Sequence, residues 1–241
     1  MKNLTLILPA HNEGESILET ILEIDSKTPR DLHLTIYVSE DGSSDNTREQ
    51  VEKASELAKN STIKLSEPSE RLGYSRGVIR GIQNCSTELI GFMDADGQCD
   101  PNDLNRLITN LEQSRIVIGY RNPRNDSQIR MVYSKLFGIA YRIFGGPKRK
   151  DPSSPFILAN YSDIKVLGRI NPKLSFGFWW EFQMRVKNLG LKVVEVPVNH
   201  RVRSAGVTQV YTLRKIPKIV FTHLVGLWVL RRELRSRGAN S

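Results

Sequence analysis

Leu89-Ile90-Gly91-Phe92-Met93-Asp94-Ala95-Asp96-Gly97-Gln98 is a short apolar run that ends in two carboxylates. The apolar part, Leu89–Met93, has the length and character of a strand buried on both faces. On extended chain, side chains two residues apart point the same way. Asp94 and Asp96 are therefore expected side by side at the strand end, where they repel unless a cation sits between them. Hard oxygen ligands of this kind suit Mg²⁺ or Mn²⁺, ions that also bind a diphosphate. Gln98 adds a neutral oxygen two residues further on. The plainer reading is that Asp96-Gly97 is a turn and Asp94 a capping acid.

Working outward, apolar runs and helical spacings alternate through the first 120 residues. Leu4, Leu6 and Leu8 alternate with Thr5 and Ile7 in a first strand that Pro9 stops. Ile17, Leu18, Ile21 and Leu22 follow at helical spacing. Leu32–Val38 is a second strand, and Ser44 or Asp45 can cap a helix carrying Val51, Ala54, Leu57 and Ala58. Ile63–Leu65 is a third strand, and Val78, Ile79 and Ile82 mark a helix ending near Asn84. After Leu89–Met93, Asp100-Pro101 opens a helix with Leu104, Leu107, Ile108 and Leu111 on one face, and Ile116–Ile118 is a fifth strand. This order predicts an α/β fold, a mostly parallel central sheet flanked by helices. Ligands of such sheets bind at the carboxyl ends of the strands.

Beyond residue 120 the pattern loosens. Helices are expected over Ile129–Phe144 and Trp179–Asn188, strands over Phe156–Ala159 and Val193–Val198, and a loop over Gly145–Pro155. Residues 212–237 carry Ile216, Ile219, Val220, Leu224, Leu227 and Leu230 at helical spacing, followed by Arg231, Arg232, Arg235 and Arg237.

The chain has 241 residues, 39% hydrophobic and 25% charged, enough apolar content for a sizeable core and against global disorder. Two cysteines, Cys85 and Cys99, exclude a disulfide framework and a four-cysteine zinc site and fit a reduced, cytoplasmic-side location. The first residues run straight into strand-like sequence, too short for a secretory signal. No run of eighteen uncharged apolar residues predicts a membrane-spanning helix. Net charge is +9, divided unevenly: residues 1–120 hold 12 Lys and Arg against 20 Asp and Glu, and residues 121–241 hold 23 against 6. The second half therefore suits an acidic partner, whether phosphate, anionic lipid or another polyanion, unless its charges are simply solvated helix faces. It contains no recognisable nucleic-acid module, so nucleic acid is not expected.

Two other strand ends carry ligand-type residues: Pro9-Ala10-His11-Asn12-Glu13 after the first, and Val38-Ser39-Glu40-Asp41-Gly42-Ser43-Ser44-Asp45-Asn46-Thr47 after the second. Asp41 can accept hydrogen bonds from a base or ribose. Together with Asp94-Ala95-Asp96, and with Arg71-Leu72-Gly73-Tyr74-Ser75-Arg76-Gly77 in between, these segments resemble the family 2 glycosyltransferases with a GT-A fold, over roughly residues 3–210. Asp-Ala-Asp followed by Gly-Gln resembles the dolichyl-phosphate mannose synthase branch, the polyprenyl-phosphate glycosyltransferases. Glu40 stands where the family has its first Asp of the second motif.

The resemblance implies a glycosyltransferase domain over 1–210, with a nucleotide-binding half (1–120), an acceptor half (121–210) and a basic amphipathic helical tail (211–241). It implies that Pro9, Ala10, Glu13, Asp41, Asp94 and Ala95 line the nucleotide, and that Asp96 and Gln98, with Asp94, hold Mg²⁺ or Mn²⁺ on the diphosphate of a UDP- or GDP-sugar. Val196-Pro197-Val198-Asn199-His200-Arg201-Val202-Arg203, continuing to Gln209, resembles a further family segment in which Arg203 matches the arginine there. Arg203, with Arg121, Arg124, Arg130, His200 and Gln209, is the expected phosphate and acceptor set, since guanidinium groups grip phosphate oxygens bidentately.

The expected reaction is inverting transfer of a sugar to a polyprenyl phosphate. A phosphate monoester is largely dianionic at neutral pH and needs no strong general base. A glycan or glycolipid hydroxyl would need a carboxylate base, and Asp151 and Glu181 are the candidates. A third reading is a nucleotide-sugar or polyanion binder without turnover. Tyr74, Trp179 and Trp180 are candidates to stack on a sugar or base, or core residues. The tail helix, too short to span a bilayer, would lie at the cytoplasmic face of a membrane or pack on the domain or a partner.

Overall fold

The computed structural model describes residues 2–67, 70–122, 128–175, 177–202 and 216–238. Strands β1 (Lys2–Ala10), β2 (Leu32–Glu40), β3 (Ser61–Leu65), β4 (Leu89–Phe92), β5 (Ile116–Arg121), β6 (Ile157–Asn160) and β7 (Val193–Val198) form one sheet in the order β3-β2-β1-β4-β6-β5-β7. β1 pairs in parallel with β2 and β4, β2 with β3, and β5 with β7. β6 runs antiparallel between β4 and β5. Because it runs backwards, its first residue, Ile157, lies opposite Phe92 of β4 and Ile118 of β5. The segment entering β6 therefore lies at the edge where the parallel strands end.

The two-residue side-chain period sorts the core. Leu4, Leu6 and Leu8 of β1 and Leu34, Ile36 and Val38 of β2 face one layer, with α1 (Ile17–Lys27), α2 (Thr47–Leu57) and α4 (Leu104–Leu111). Ile7 and Tyr37 face the other, with α3 (Tyr74–Gln83) and α7 (Phe178–Asn188). Both faces of β1 are thus covered, which is why it reads as a nearly continuous apolar run. Burying each such side chain contributes about 1.5–3 kcal/mol.

The first strand continues past the expected stop at Pro9. β4 pairs only with Leu4–Ile7, and the last bond on that side is Met93 N–H to the Ile7 carbonyl. Pro9 shares the orientation of Ile7, so its missing N–H faces a position where β4 has already ended. On the other side the ladder continues, Asp41 N–H donating to the Ala10 carbonyl at 2.9 Å.

α5 (Gln128–Ile143), α6 (Tyr161–Ile164) and α8 (Ile216–Gly238) complete the fold. The tail helix packs on the domain: Leu227 and Leu230 are buried against Tyr141 of α5, Trp180 and Met184 of α7, and Leu174. No helix among the described residues is long and apolar enough to cross a membrane. An open recess of about 470 Å³, lined by residues such as Lys2, Glu88, Arg115 and Lys192, lies at the opposite edge of the sheet, away from the strand-end acids.

Candidate active site

The three strand-end segments interlock. Asn12, in the left-handed region at φ 54°, accepts from Ser44 N–H at 2.9 Å through Oδ1, while its own N–H donates to Ser43 Oγ at 3.0 Å. Gly14 N–H donates to Asp45 Oδ2 at 3.0 Å, and His11 Nδ1 meets the Asp41 carbonyl at 2.9 Å. Burial works against the charge of Asp45, but bonds from Thr47 and Gly14 outweigh it and hold the carboxyl below its ordinary value. Ser16 Oγ then ties the first segment to the third, reaching Glu13 Oε2 at 3.2 Å and the Ala95 carbonyl at 3.4 Å.

Asp41 is buried, and its two oxygens accept Leu72 N–H at 2.7 Å and Gly73 N–H at 2.8 Å. Gly73 has φ 94°, a conformation side-chain-bearing residues rarely adopt. Asp41 thus shapes the loop before α3. Glu40 is also buried; burial opposes its charge, but bonds from Ser43 and Arg48 prevail and keep it ionised below the usual carboxylate range.

The Asp94-Ala95-Asp96 segment departs from the extended geometry expected of it. β4 ends at Phe92, and the two acids fall in a turn that closes at Gly97 with φ 72°. Within that turn Asp96 Oδ1 accepts Gln98 N–H at 3.1 Å, an Asx bond that holds residues 96–98 out of strand geometry. Both acids remain partly exposed. The Gln98 side-chain amide donates to the Arg201 carbonyl at 3.2 Å, and Arg201 N–H returns to the Gln98 carbonyl at 2.8 Å, joining this turn to the segment after β7. Arg201 itself is bound to Glu23 at 2.8 Å and Asp100 at 2.9 Å.

Asp94 is held by a hydrogen-bond chain with a forced direction. The Trp179 indole N–H, a donor only, gives to Tyr74 Oη at 2.8 Å, so the Tyr74 hydroxyl gives its proton to Asp94 Oδ1, also at 2.8 Å. Removal from water and the Asp94 charge push the Tyr74 hydroxyl far above its ordinary value, so it stays a donor. Trp179 and Trp180 are both buried and serve the core rather than an open stacking surface. Sequence reading placed Tyr74 and Trp179 among stacking candidates; nothing in their separation of about a hundred residues signals the relay. Tyr74→Phe should weaken metal-dependent nucleotide binding about 10- to 100-fold, as loss of a partner behind a ligand does. Isothermal titration with Mn²⁺ and nucleoside diphosphate checks this, with the melting temperature as the fold control.

Across the edge, Arg121 at the end of β5 grips Asp151 bidentately, Nε to Oδ2 at 2.6 Å and Nη2 to Oδ1 at 2.9 Å, and also donates to Ser153 Oγ at 2.7 Å. Both side chains are buried. The acid pair and this ion pair share one neighbourhood: Cys99 is buried, which pushes its thiol up strongly, and the charges of Asp94, Asp96 and Arg121 all reach it. Cys99 also bridges to His200, which is buried. Glu181 is fully buried, its oxygens accepting Lys173 N–H, Leu174 N–H and the Arg185 guanidinium at 2.6 to 2.9 Å. Arg124, Arg203 and Gln209 lie outside the described residues, and Arg130 is placed only as a residue of α5.

The family described as Glycosyl transferase family 2 matches residues 5–171, a span that contains all three strand-end segments. The chain belongs to glycosyl transferase family 2. Within reach of this family 2 chain, a dolichol-phosphate mannosyltransferase of Pyrococcus furiosus is 31% identical over 210 residues, 84% of this chain and 57% of that protein. An undecaprenyl-phosphate 4-deoxy-4-formamido-L-arabinose transferase of Salmonella choleraesuis is 25% identical over 218 residues, 90% of this chain and 65% of that protein. The chain therefore spans about three fifths of the length of these curated relatives. Among solved structures, glucosyl-3-phosphoglycerate synthase from Mycobacterium tuberculosis, in complex with Mn²⁺, UDP-glucose and glycerol 3-phosphate, superposes with a TM-score of 0.67 at 17% identity, covering 94% of this chain and 80% of that one. The same synthase with Mg²⁺ and UDP gives 0.65 at 17% identity, covering 94% and 79%. This likeness is one of fold, and the fold of this family 2 chain is GT-A.

Among the described residues no three His, Cys, Asp or Glu side chains converge as a ready-made metal cage. One or two carboxylates fit an ion that completes its shell with diphosphate oxygens and water, the habit of Mg²⁺. Asp96 is a carboxylate of that kind, partly exposed and with its turn fixed by its own Asx bond.

Proposed function

We propose that this chain is an inverting glycosyltransferase that moves a sugar from a UDP- or GDP-sugar to a polyprenyl phosphate, with Mg²⁺ or Mn²⁺, at the cytoplasmic face of a membrane. The observation that carries the reading is the convergence of Asp41, Asp94 and Asp96 at one edge of a parallel sheet, in a chain whose relatives bear the names of polyprenyl-phosphate sugar transferases. Asp96, with Asp94 beside it and the Gln98 side chain two residues on, would hold the metal. When bound, the ion supplies charge that offsets the negative charge building on the leaving nucleoside diphosphate. Pro9, Ala10, Glu13 and Ala95 would line the nucleotide, with Asp41 fixing the loop opposite. His200 borders the acids through Cys99. Arg121, Arg124, Arg130, Arg203 and Gln209 are proposed to gather the phosphates.

A hydroxyl acceptor would need a carboxylate base. Asp151 is engaged bidentately by Arg121, and Glu181 by Arg185 and two main-chain N–H groups. A phosphate acceptor needs neither, and this favours the lipid phosphate. Asp151 then acts as the holder of Arg121. The test is a donor-by-acceptor screen of the purified chain with Mg²⁺ or Mn²⁺, reading released nucleoside diphosphate and sugar in the lipid phase. Metal-dependent transfer to polyprenyl phosphate is expected. Transfer only to soluble glycans would overturn the acceptor, and binding without turnover would overturn the enzyme.

A further inference from the structure

The turn that carries Asp94, Asp96 and Gln98 is held by the segment that follows β7, through main chain and side chains alike. Cys99 and His200 form an antiparallel bridge, and Arg201 N–H donates to the Gln98 carbonyl at 2.8 Å. To one side of that bridge, Asn199 N–H donates to Asp103 Oδ2 at 2.6 Å, and Arg106 Nη1 to the Pro197 carbonyl at 2.5 Å. The Gln98 side chain joins in by giving its Nε2 to the Arg201 carbonyl at 3.2 Å. A carbonyl only accepts, so this bond fixes which way round the Gln98 amide sits: turned over, it would set two oxygens against each other. The end of the amide left for a cation is therefore its oxygen, Oε1.

The guanidinium of Arg201 holds that carbonyl in place. Its Nη1 donates to both oxygens of Glu23 on α1, at 2.9 and 2.8 Å, and its Nη2 lies 2.9 Å from Asp100 Oδ1. Asp100 is itself engaged by the main-chain and side-chain nitrogens of Asn102, at 3.0 and 2.9 Å. One planar fork thus bridges a helix of the first half of the chain and the residue two beyond Gln98, which a single ammonium would not reproduce. The Arg201 side chain is 37% exposed, and pairs so exposed add little to stability. What it supplies is position. It pins the residue whose carbonyl orients Gln98, and Arg203 follows only two residues later in the chain.

We infer that Arg201 is a positioning residue: bridged to Glu23 and Asp100, it fixes the Gln98 amide with its oxygen presented to the divalent ion. The inference rests on the metal reading of Asp96 and Gln98 and names the residues that orient the second of them.

The test uses the purified full chain with Mn²⁺ and UDP or GDP, read by titration calorimetry, and the amide spectrum of the metal-free chain, read by nuclear magnetic resonance. Arg201→Met keeps the main-chain bonds and loses the fork. It should weaken Mn²⁺-dependent nucleotide binding about tenfold, the low end for loss of a partner behind a ligand, with the melting temperature unchanged. Glu23→Gln, on α1, should cost about threefold, and Arg201→Lys should recover part of the loss. In a Gln98→Ala background, already weakened, Arg201→Met should cost less than about twofold more, because the two residues act as one unit. Without metal, the Gln98 side-chain N–H signals, assigned by their loss in Gln98→Ala, should move in Arg201→Met to the position of a free glutamine amide. Unchanged Mn²⁺-dependent affinity in Arg201→Met, losses that add in full in the double variant, or amide signals that stay in place would each overturn the inference. The metal reading fails separately. Nucleotide binding that needs no divalent ion would end that reading, and amide signals that still respond to Arg201→Met would leave the Arg201–Gln98 clasp standing. Metal-dependent binding with unresponsive amide signals would do the reverse.

Discussion

Asp96→Asn is expected to give a folded chain whose sugar transfer is about a thousandfold slower. Asn keeps the side-chain oxygen that accepts Gln98 N–H, so the turn closing at Gly97 survives. What is lost is the negative charge that would hold a divalent ion against a diphosphate. Stabilisation of a leaving group by such an ion is worth several kcal/mol, and each 1.4 kcal/mol or so is tenfold in rate. Asp94→Asn should do less harm to the metal, because one Asp94 oxygen already accepts the Tyr74 hydroxyl. Single-turnover rates at saturating Mn²⁺, with melting temperatures alongside, check both. Turnover of Asp96→Asn within a factor of ten of wild type would contradict the role given to Asp96.

Glu181→Ala is expected to act on the fold. Glu181 is fully buried and accepts two main-chain N–H groups at Lys173 and Leu174 together with the Arg185 guanidinium. Arg185, itself buried, also meets Glu233 of α8 at 3.1 Å, so this acid anchors α7, the loop before it and the tail helix together. Removing it leaves Arg185 with Glu233 as its one remaining acid among the contacts described and orphans the two main-chain N–H groups, at a cost of about 3–5 kcal/mol. That is a large share of the stability of any single domain. Urea unfolding followed by circular dichroism reads it directly. A catalytic base would behave differently: the variant would keep its midpoint and lose its rate.

The strands were legible where burial leaves a simple mark. β1, β2 and β4 are apolar runs because helices cover both of their faces, and polar, partly exposed residues follow where each run ends. Strand direction leaves no such mark. β6 has the same apolar pattern as its neighbours although it runs antiparallel to them, and only its pairing with β4 and β5 reveals this. The acids of Asp94-Ala95-Asp96 were legible as a group, but their backbone was not: β4 ends at Phe92 and the chain turns at residues 95–97, where Asp96 Oδ1 accepts Gln98 N–H.

Pairings across long separations were hidden for a related reason. Arg121 and Asp151 each read as an independent phosphate or acceptor group, yet 30 residues apart they meet in a bidentate ion pair. The Trp179–Tyr74–Asp94 relay is equally silent, because aromatic residues at helical spacing carry the same pattern whether or not their polar atoms find a partner. The tail helix read as a choice between the domain and the membrane. Residues of the one pattern part company in the structure: Leu227 and Leu230 are buried against α5 and α7, while Val220 and Leu224 are exposed.

The central claim is that a divalent ion rests on Asp96 at the rim of the parallel sheet. Crystals grown with Mn²⁺ and UDP or GDP test it most directly, through anomalous scattering. The account predicts a manganese peak about 2.1 Å from an Asp96 carboxylate oxygen and shared with the diphosphate. A peak bound elsewhere on the chain, or nucleotide bound with full occupancy and no manganese at Asp96, would contradict it.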